Sequence, residues 1–309
     1  MLFSKSDQFY KQNVVVFGSK FKKVQAAANE VLSILEDYMK ANKLTLNVEK
    51  TVSILFTPPT KKPEKLDLYI GNNKLEQVSE TKFLGITIDE KLKFSTHMNN
   101  VIRKAKTGLN ALIQVKNILP YQAKLKIYYG LIHSHINYCP LIWLLEQPLK
   151  NQKILEKIQK KAVRILFKAK PNSHTENMFT ISNITKTRNL CLNDQLNIMY
   201  QHQFNYLPKA ISNIIKEAAS HLRPERKKAR SINIKTYDNT GNIAYDMINN
   251  WNIWPDEVTK TKKYSLITVK KRIKKYLQSK SQYFCNKSEC HSCNLTPTID
   301  KLIAYTHYS

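Results

Sequence analysis

The stretch FCNKSECHSCN (284–294) holds Cys285, Cys290 and Cys293, and His307 follows. A closed zinc site wants four thiolate or imidazole ligands in a tetrahedral array. Cys285, Cys290, Cys293 and His307 are candidates for Zn²⁺. His291 stands inside the C-x₂-C pair, an awkward place for joint ligation, so free thiols in a loose tail are the competing reading. At the other end, FYKQNVVVF (9–17) sets Gln12 and Asn13 before an apolar run. Amide oxygens can touch a hard metal ion, but they bring no negative charge to balance it. A third chemistry is electrostatic. Lys104 and Lys106, then Lys160, Lys161 and Arg164, stand on the polar faces of two helical patterns. Phosphate contacts from such groups position a nucleic acid without reading its bases.

The whole chain shares this bias. Its 309 residues carry 50 Lys and Arg against 23 Asp and Glu, a net charge of +27. A polyanionic partner, most simply nucleic acid, is the physical expectation. The abundance of Lys, Asn, Ile and Tyr also fits AT-biased coding, which would make the charge a by-product. No apolar run approaches about 18 residues, so no membrane span is expected. No signal peptide is visible at the start. Five cysteines without a regular framework argue against a secreted disulfide fold and for a reducing intracellular setting, nucleus or cytoplasm.

The positioning elements change type along the chain. Val14–Phe17 is a short apolar strand candidate. Residues 22–41 repeat Val24, Ala28, Val31, Leu32, Leu35, Tyr38 and Met39 at helical spacing. Strand signals follow at 51–56. A hairpin is expected around Gly71, Asn72 and Asn73. KFLGITID (82–89) reads as an alternating strand carrying Gly85. From Thr96 the pattern is helical, with Met98, Val101, Ile102, Ala105, Leu109 and Leu112 in one stripe. Further helices are expected after Pro120, over 154–168, through 192–207 and over the basic segment 265–280. LRPERKKARS (222–231) reads as a solvated linker. Tyr128, Tyr129 and Trp143 read as core, and His97, His133 and His135 as structural or surface residues.

The order of these pieces resembles the end of the palm in non-LTR, LINE-type retrotransposon reverse transcriptases, especially the jockey-like group. The resemblance rests on Asn42, Leu44, Leu46, Asn47, Lys50 and Thr51 after the first helix. It continues through Phe83, Leu84, Gly85, Ile88, Asp89, Leu92 and His97. YYGLIHSHINYCPLIW and LEKIQKKAVRIL resemble the thumb-side helices. The likeness covers about residues 9–170 and is loose beyond.

That resemblance implies a parent RNA-directed DNA polymerase using Mg²⁺ in a two-metal displacement. Gln12 and Asn13 stand where the family carries its paired aspartates, either as substitutions there or as residues of other origin ahead of a likeness that begins at Val14. The expectation is a chain without its catalytic carboxylates, without fingers and without the first catalytic strand. Lys50 would be an accessory near the triphosphate, or simply a surface lysine. Phe83, Leu84 and Gly85 would grip the primer end, with Gly85 allowing close backbone approach; a tight bend is the alternative. Lys104, Lys106, Lys160, Lys161 and Arg164 would face the duplex.

The expected architecture is α+β and mostly helical. An incomplete palm layer (1–92) precedes a helical thumb (93–170) and a basic C-terminal extension with a Cys-rich tail (171–309). The expected function is a reverse-transcriptase fragment binding RNA and RNA–DNA hybrid. No cofactor is expected for the chain itself beyond Zn²⁺ at the tail. A repurposed, non-catalytic binding protein is the alternative. A helical protein-interaction domain would explain the stripes but not the ordered palm blocks.

Overall fold

Polar side chains of the first long helix hold an extended segment beside it. This helix, α1 (Phe21–Ala41), buries Val24, Ala28, Leu32 and Met39. The computed structural model describes residues 14–44, 47–58, 60–61, 64–220, 243–253 and 264–279. Asn29 donates to Asp67 O at 2.9 Å and accepts from Tyr69 N. Gln25 accepts from Asp67 N, and the Glu36 carboxylate accepts from Gly71 N. Backbone groups of 67–71 that a neighbouring strand would satisfy are thus met by a helix. Leu66, Leu68, Ile70 and Leu75 pack on Ala28 and Leu32, with Val14 and Val16 against them.

The strands are short. β1 (Val52–Ser53) pairs in parallel with β4 (Glu76–Gln77), and β2 (Tyr69–Ile70) pairs antiparallel with β3 (Asn73–Lys74). Two expectations are corrected here. Val14–Phe17 has no strand partner among the described residues, although Val14 and Val16 reach the core. KFLGITID is not one strand. β5 (Glu80–Phe83) and β6 (Ile86–Asp89) form a hairpin that turns at Leu84 (φ 45°) and Gly85 (φ 88°). Two consecutive positive φ values match the right-handed twist of the flanking strands.

The rest is helical: α2 (Ser95–Gln114), α3 (Tyr121–Tyr128), a π-helical segment (Tyr129–His133), α4 (Ser134–Ile136), α5 (Pro140–Trp143), α6 (Leu149–Leu166), α7 (Glu176–Ile181), α8 (Thr187–Gln203), α9 (Lys209–Ser220), α10 (Ile243–Ile253) and α11 (Leu266–Ser279). The fold class is therefore α+β and mostly helical. Two compact units, Met1–Asn100 and Val101–Ser309, divide it inside α2. In the second unit α8 is central: α5, α6, α10 and α11 all pack on it. Leu196 and Tyr200 meet Val269, Ile273 and Leu277 of α11, while Met199 meets Met247 and Ile248 of α10. Among the described residues no helix is long and apolar enough to cross a membrane.

Candidate nucleic-acid interface

In the first unit the block from Asn42 to Thr51 is a run of caps. Asn42 ends α1 and its amide donates to Tyr38 O at 2.8 Å. Asn47 accepts from Lys50 N at 3.1 Å, starting a 3₁₀ turn, Val48–Lys50. Thr51 is buried and donates to Asn47 O. Lys50 is exposed at the end of that turn. Beside it lies an open hollow of about 590 Å³ lined by Asn47, Val48, Glu49, Asn73, Lys74 and Glu76. Its two carboxylates and one ammonium do not favour a polyanion.

The block from Phe83 to His97 is a hairpin locked to the start of α2. The Asp89 carboxylate accepts from the backbone N–H groups of Lys91, Lys93 and Phe94. His97 is buried and its Nδ1 accepts from Thr87 N at 3.2 Å. These bonds tie the β6 side of the hairpin to the start of α2. Phe83 is half-buried, and Leu84 and Gly85 are exposed in the turn. A non-glycine residue at positive φ carries backbone strain, a feature common where a tip meets a ligand.

In the second unit α2 carries Lys104 and Lys106 in the open. Gly108, on the same helix, lets it approach the π segment: a Cβ there would lie 2.5 Å from Leu131 O. α6 carries Lys161 exposed and Lys160 half-buried. Arg164 is also half-buried, and its Nε donates to Ser173 O at 2.8 Å. Burial lowers its pKa. Arg164 thus holds the chain after α6.

The helix also begins at Leu149, after Pro148, one turn before the periodicity predicts. Proline at a helix start is a readable signal. It adds Lys150 and Lys153, both exposed, to the face that already carries Lys157 and Lys161. On the inner side Gln159 is buried. Its amide donates to Tyr128 Oη and Thr185 O and accepts from Thr187 N, all at 2.9 Å. Lys124 is buried as well and donates to Ile165 O at 3.1 Å, near the C-terminal end of α6. Carbonyls and the helix dipole favour a cation there, while burial lowers the Lys124 pKa.

Tyr128 and Trp143 are fully buried, as core residues should be, and Tyr129 is half-buried. Gln12, Asn13, Cys285, Cys290, Cys293 and His307 lie outside the described residues. So do 222–231 and the Trp-Pro pair at 254–255. Among the described residues no three His, Cys, Asp or Glu side chains converge as a metal site would need.

No family model matches the chain, and no solved structure matches it. A probable RNA-directed DNA polymerase from transposon BS of Drosophila melanogaster is 27% identical over 140 residues. The match covers 44% of this chain and 15% of that protein, so the chain corresponds to a small part of its relative's length. Over that stretch the chain is related to a transposon RNA-directed DNA polymerase.

Proposed function

We propose that this chain is a nucleic-acid-holding part of a LINE-type, jockey-like reverse transcriptase that lacks catalytic carboxylates of its own. The observation that carries the reading is the exposed lysines of α2 (Lys104, Lys106) and, separately, of α6 (Lys150, Lys153, Lys157, Lys161), in a chain related to an RNA-directed polymerase. Its ligand is the phosphate backbone of RNA or of RNA–DNA hybrid, contacted without base preference. The Leu84–Gly85 turn is the candidate contact for a primer end, and Lys50 an accessory cation. Mg²⁺ is a poor fit to the residues at hand, because Gln12 and Asn13 offer neutral amides where two carboxylates would balance the charge. No metal-assisted step is assigned to them. Zn²⁺ at Cys285, Cys290, Cys293 and His307 is a separate proposal that rests on spacing.

A fluorescence titration with a labelled 20-nucleotide RNA, and with the matching hybrid, tests the binding claim. Binding that weakens steeply with salt is expected. Primer extension by the same protein with Mg²⁺ or Mn²⁺ should give no product. Template-dependent incorporation would overturn the non-catalytic part, and absent binding at low salt would overturn the rest.

A further inference from the structure

We infer that the outer face of α6 is the surface that follows one nucleic-acid strand, with Lys150, Lys153, Lys157 and Lys161 as its contacts. This inference rests on the binding reading above and names the place. At 3.6 residues per turn, these four positions fall within an arc of about 80°. The buried residues of α6, Leu155, Ile158, Gln159, Ala162, Val163 and Leu166, point the opposite way. All four lysines are exposed, and none makes an ion pair with a described residue. The single acid of the helix, Glu156, lies outside the arc and is half-buried.

Such a face opposes its own helix. Lys153, Lys157 and Lys161 are successive like-charge pairs at four-residue spacing, which disfavours the helix. Lys150 and Lys153 stand near an N-terminus that has no acidic residue in its first turn. There the helix dipole adds positive potential to theirs. A polyanion relieves both effects. The ladder runs about 16 Å along the helix axis. One strand presents a phosphate about every 3.4 Å of duplex axis, so each ammonium can find a partner. A bilayer fits less well, because the apolar side of α6 is spent on the protein core and cannot enter lipid.

The test uses the full chain with Lys150, Lys153, Lys157 and Lys161 all changed to Gln. Binding of the 20-nucleotide RNA and of the hybrid is titrated from 50 to 300 mM salt, conditions chosen around those where slopes are usually read (roughly 50–200 mM). The slope of log affinity against log salt should fall by about 3 units, at roughly 0.7–0.9 per phosphate contact. The matching Lys→Arg variant should keep the slope. Changing Lys270, Lys271 and Lys275 of α11 to Gln should leave it nearly unchanged. An unchanged slope in the α6 Gln variant, with RNA still bound, would overturn this inference and leave the function intact. No RNA binding by the unmodified chain would overturn both. Binding to phosphatidylserine vesicles in place of RNA would overturn the choice of partner.

Discussion

His133 shows how one side chain ties stability to pH. It sits in the π segment with Tyr128 and Tyr129 beside it, at ring separations of 5.9 and 5.2 Å. Its Nδ1 is buried without a hydrogen-bond partner. Burial, with the Lys274 charge behind it, pushes the imidazole down to about 4 from 6.5. Below about pH 4 both folded and unfolded chains protonate it, and the folded state bears the full cost. Between about 4 and 6.5 the unfolded chain binds more protons, so stability rises with pH. Above 6.5 the group is neutral in both and the gain is complete. The shift corresponds to roughly 3 kcal/mol. His135 and His202, also lowered by burial, act in the same direction, and Asp194, which burial raises, acts against them. The urea midpoint should therefore drop between pH 7 and pH 4.5, and His133→Phe should shrink that drop. An equal drop in the variant would place the titration elsewhere. Little of this was legible beforehand. Sequence can mark His133 as structural, but a π turn and a buried nitrogen come from packing. Gln159 and Lys124 were hidden for the same reason: their residue types are mostly found at the surface, and their burial depends on partners 26 to 41 residues away.

At the scale of elements, the long helices were legible because apolar spacing on one face is a strong signal. α8 has no single apolar face, since neighbours cover it on several sides, so only its approximate place could be read. Of the two-residue strands, β1 within 51–56 and the β2–β3 hairpin at Gly71–Asn73 were signalled by sequence, but the pairing of β1 with β4 was not, because that partner is set by tertiary contacts. The helix ends hold a less visible feature. α1, α6, α7 and α8 are each followed by a non-glycine residue at positive φ: Lys43, Lys168, Asn183 and Asn205. In each case the next N–H reaches back to the last turn, as Ala169 N does to Arg164 O at 2.9 Å. Glycine is the residue suited to that position, yet the chain has six glycines in all. Left-handed backbone costs an L-residue about 1–2 kcal/mol, and glycine gives back about 0.5–1 kcal/mol in unfolded-chain entropy. Lys168→Gly should therefore stabilise the fold by about 0.5–1 kcal/mol. Its loss also relieves the charge that Lys168 sets against buried Lys124. The check is a rise in thermal midpoint; a fall would mean that Lys168 makes a compensating contact.

At the scale of the whole molecule, the relation to a transposon polymerase was legible because several short blocks keep their order. The structure turns those blocks into caps, a locked hairpin and packed helices, and so gives their residue types a physical reason. The excess of 27 positive charges has a second consequence that no single element shows. Charge of one sign repels itself, and repulsion is strongest when the chain is compact. Salt screens it, with a screening length of about 10 Å at 0.1 M falling to about 3 Å at 1 M. Salt should thus raise the thermal midpoint of the free protein while it weakens RNA binding, because the binding term depends on counterions that salt returns to the nucleic acid. The two trends have opposite sign and can be followed in one sample series, by melting and titration from 50 to 500 mM NaCl, a range that spans the change in screening length from about 14 to about 4 Å. A midpoint that falls with salt would mean that attractive pairs such as Lys186–Glu176 and Lys74–Asp67 outweigh the repulsion. A midpoint that does not move would show the charges to be so well spread and solvated that the net value has no bearing on the fold.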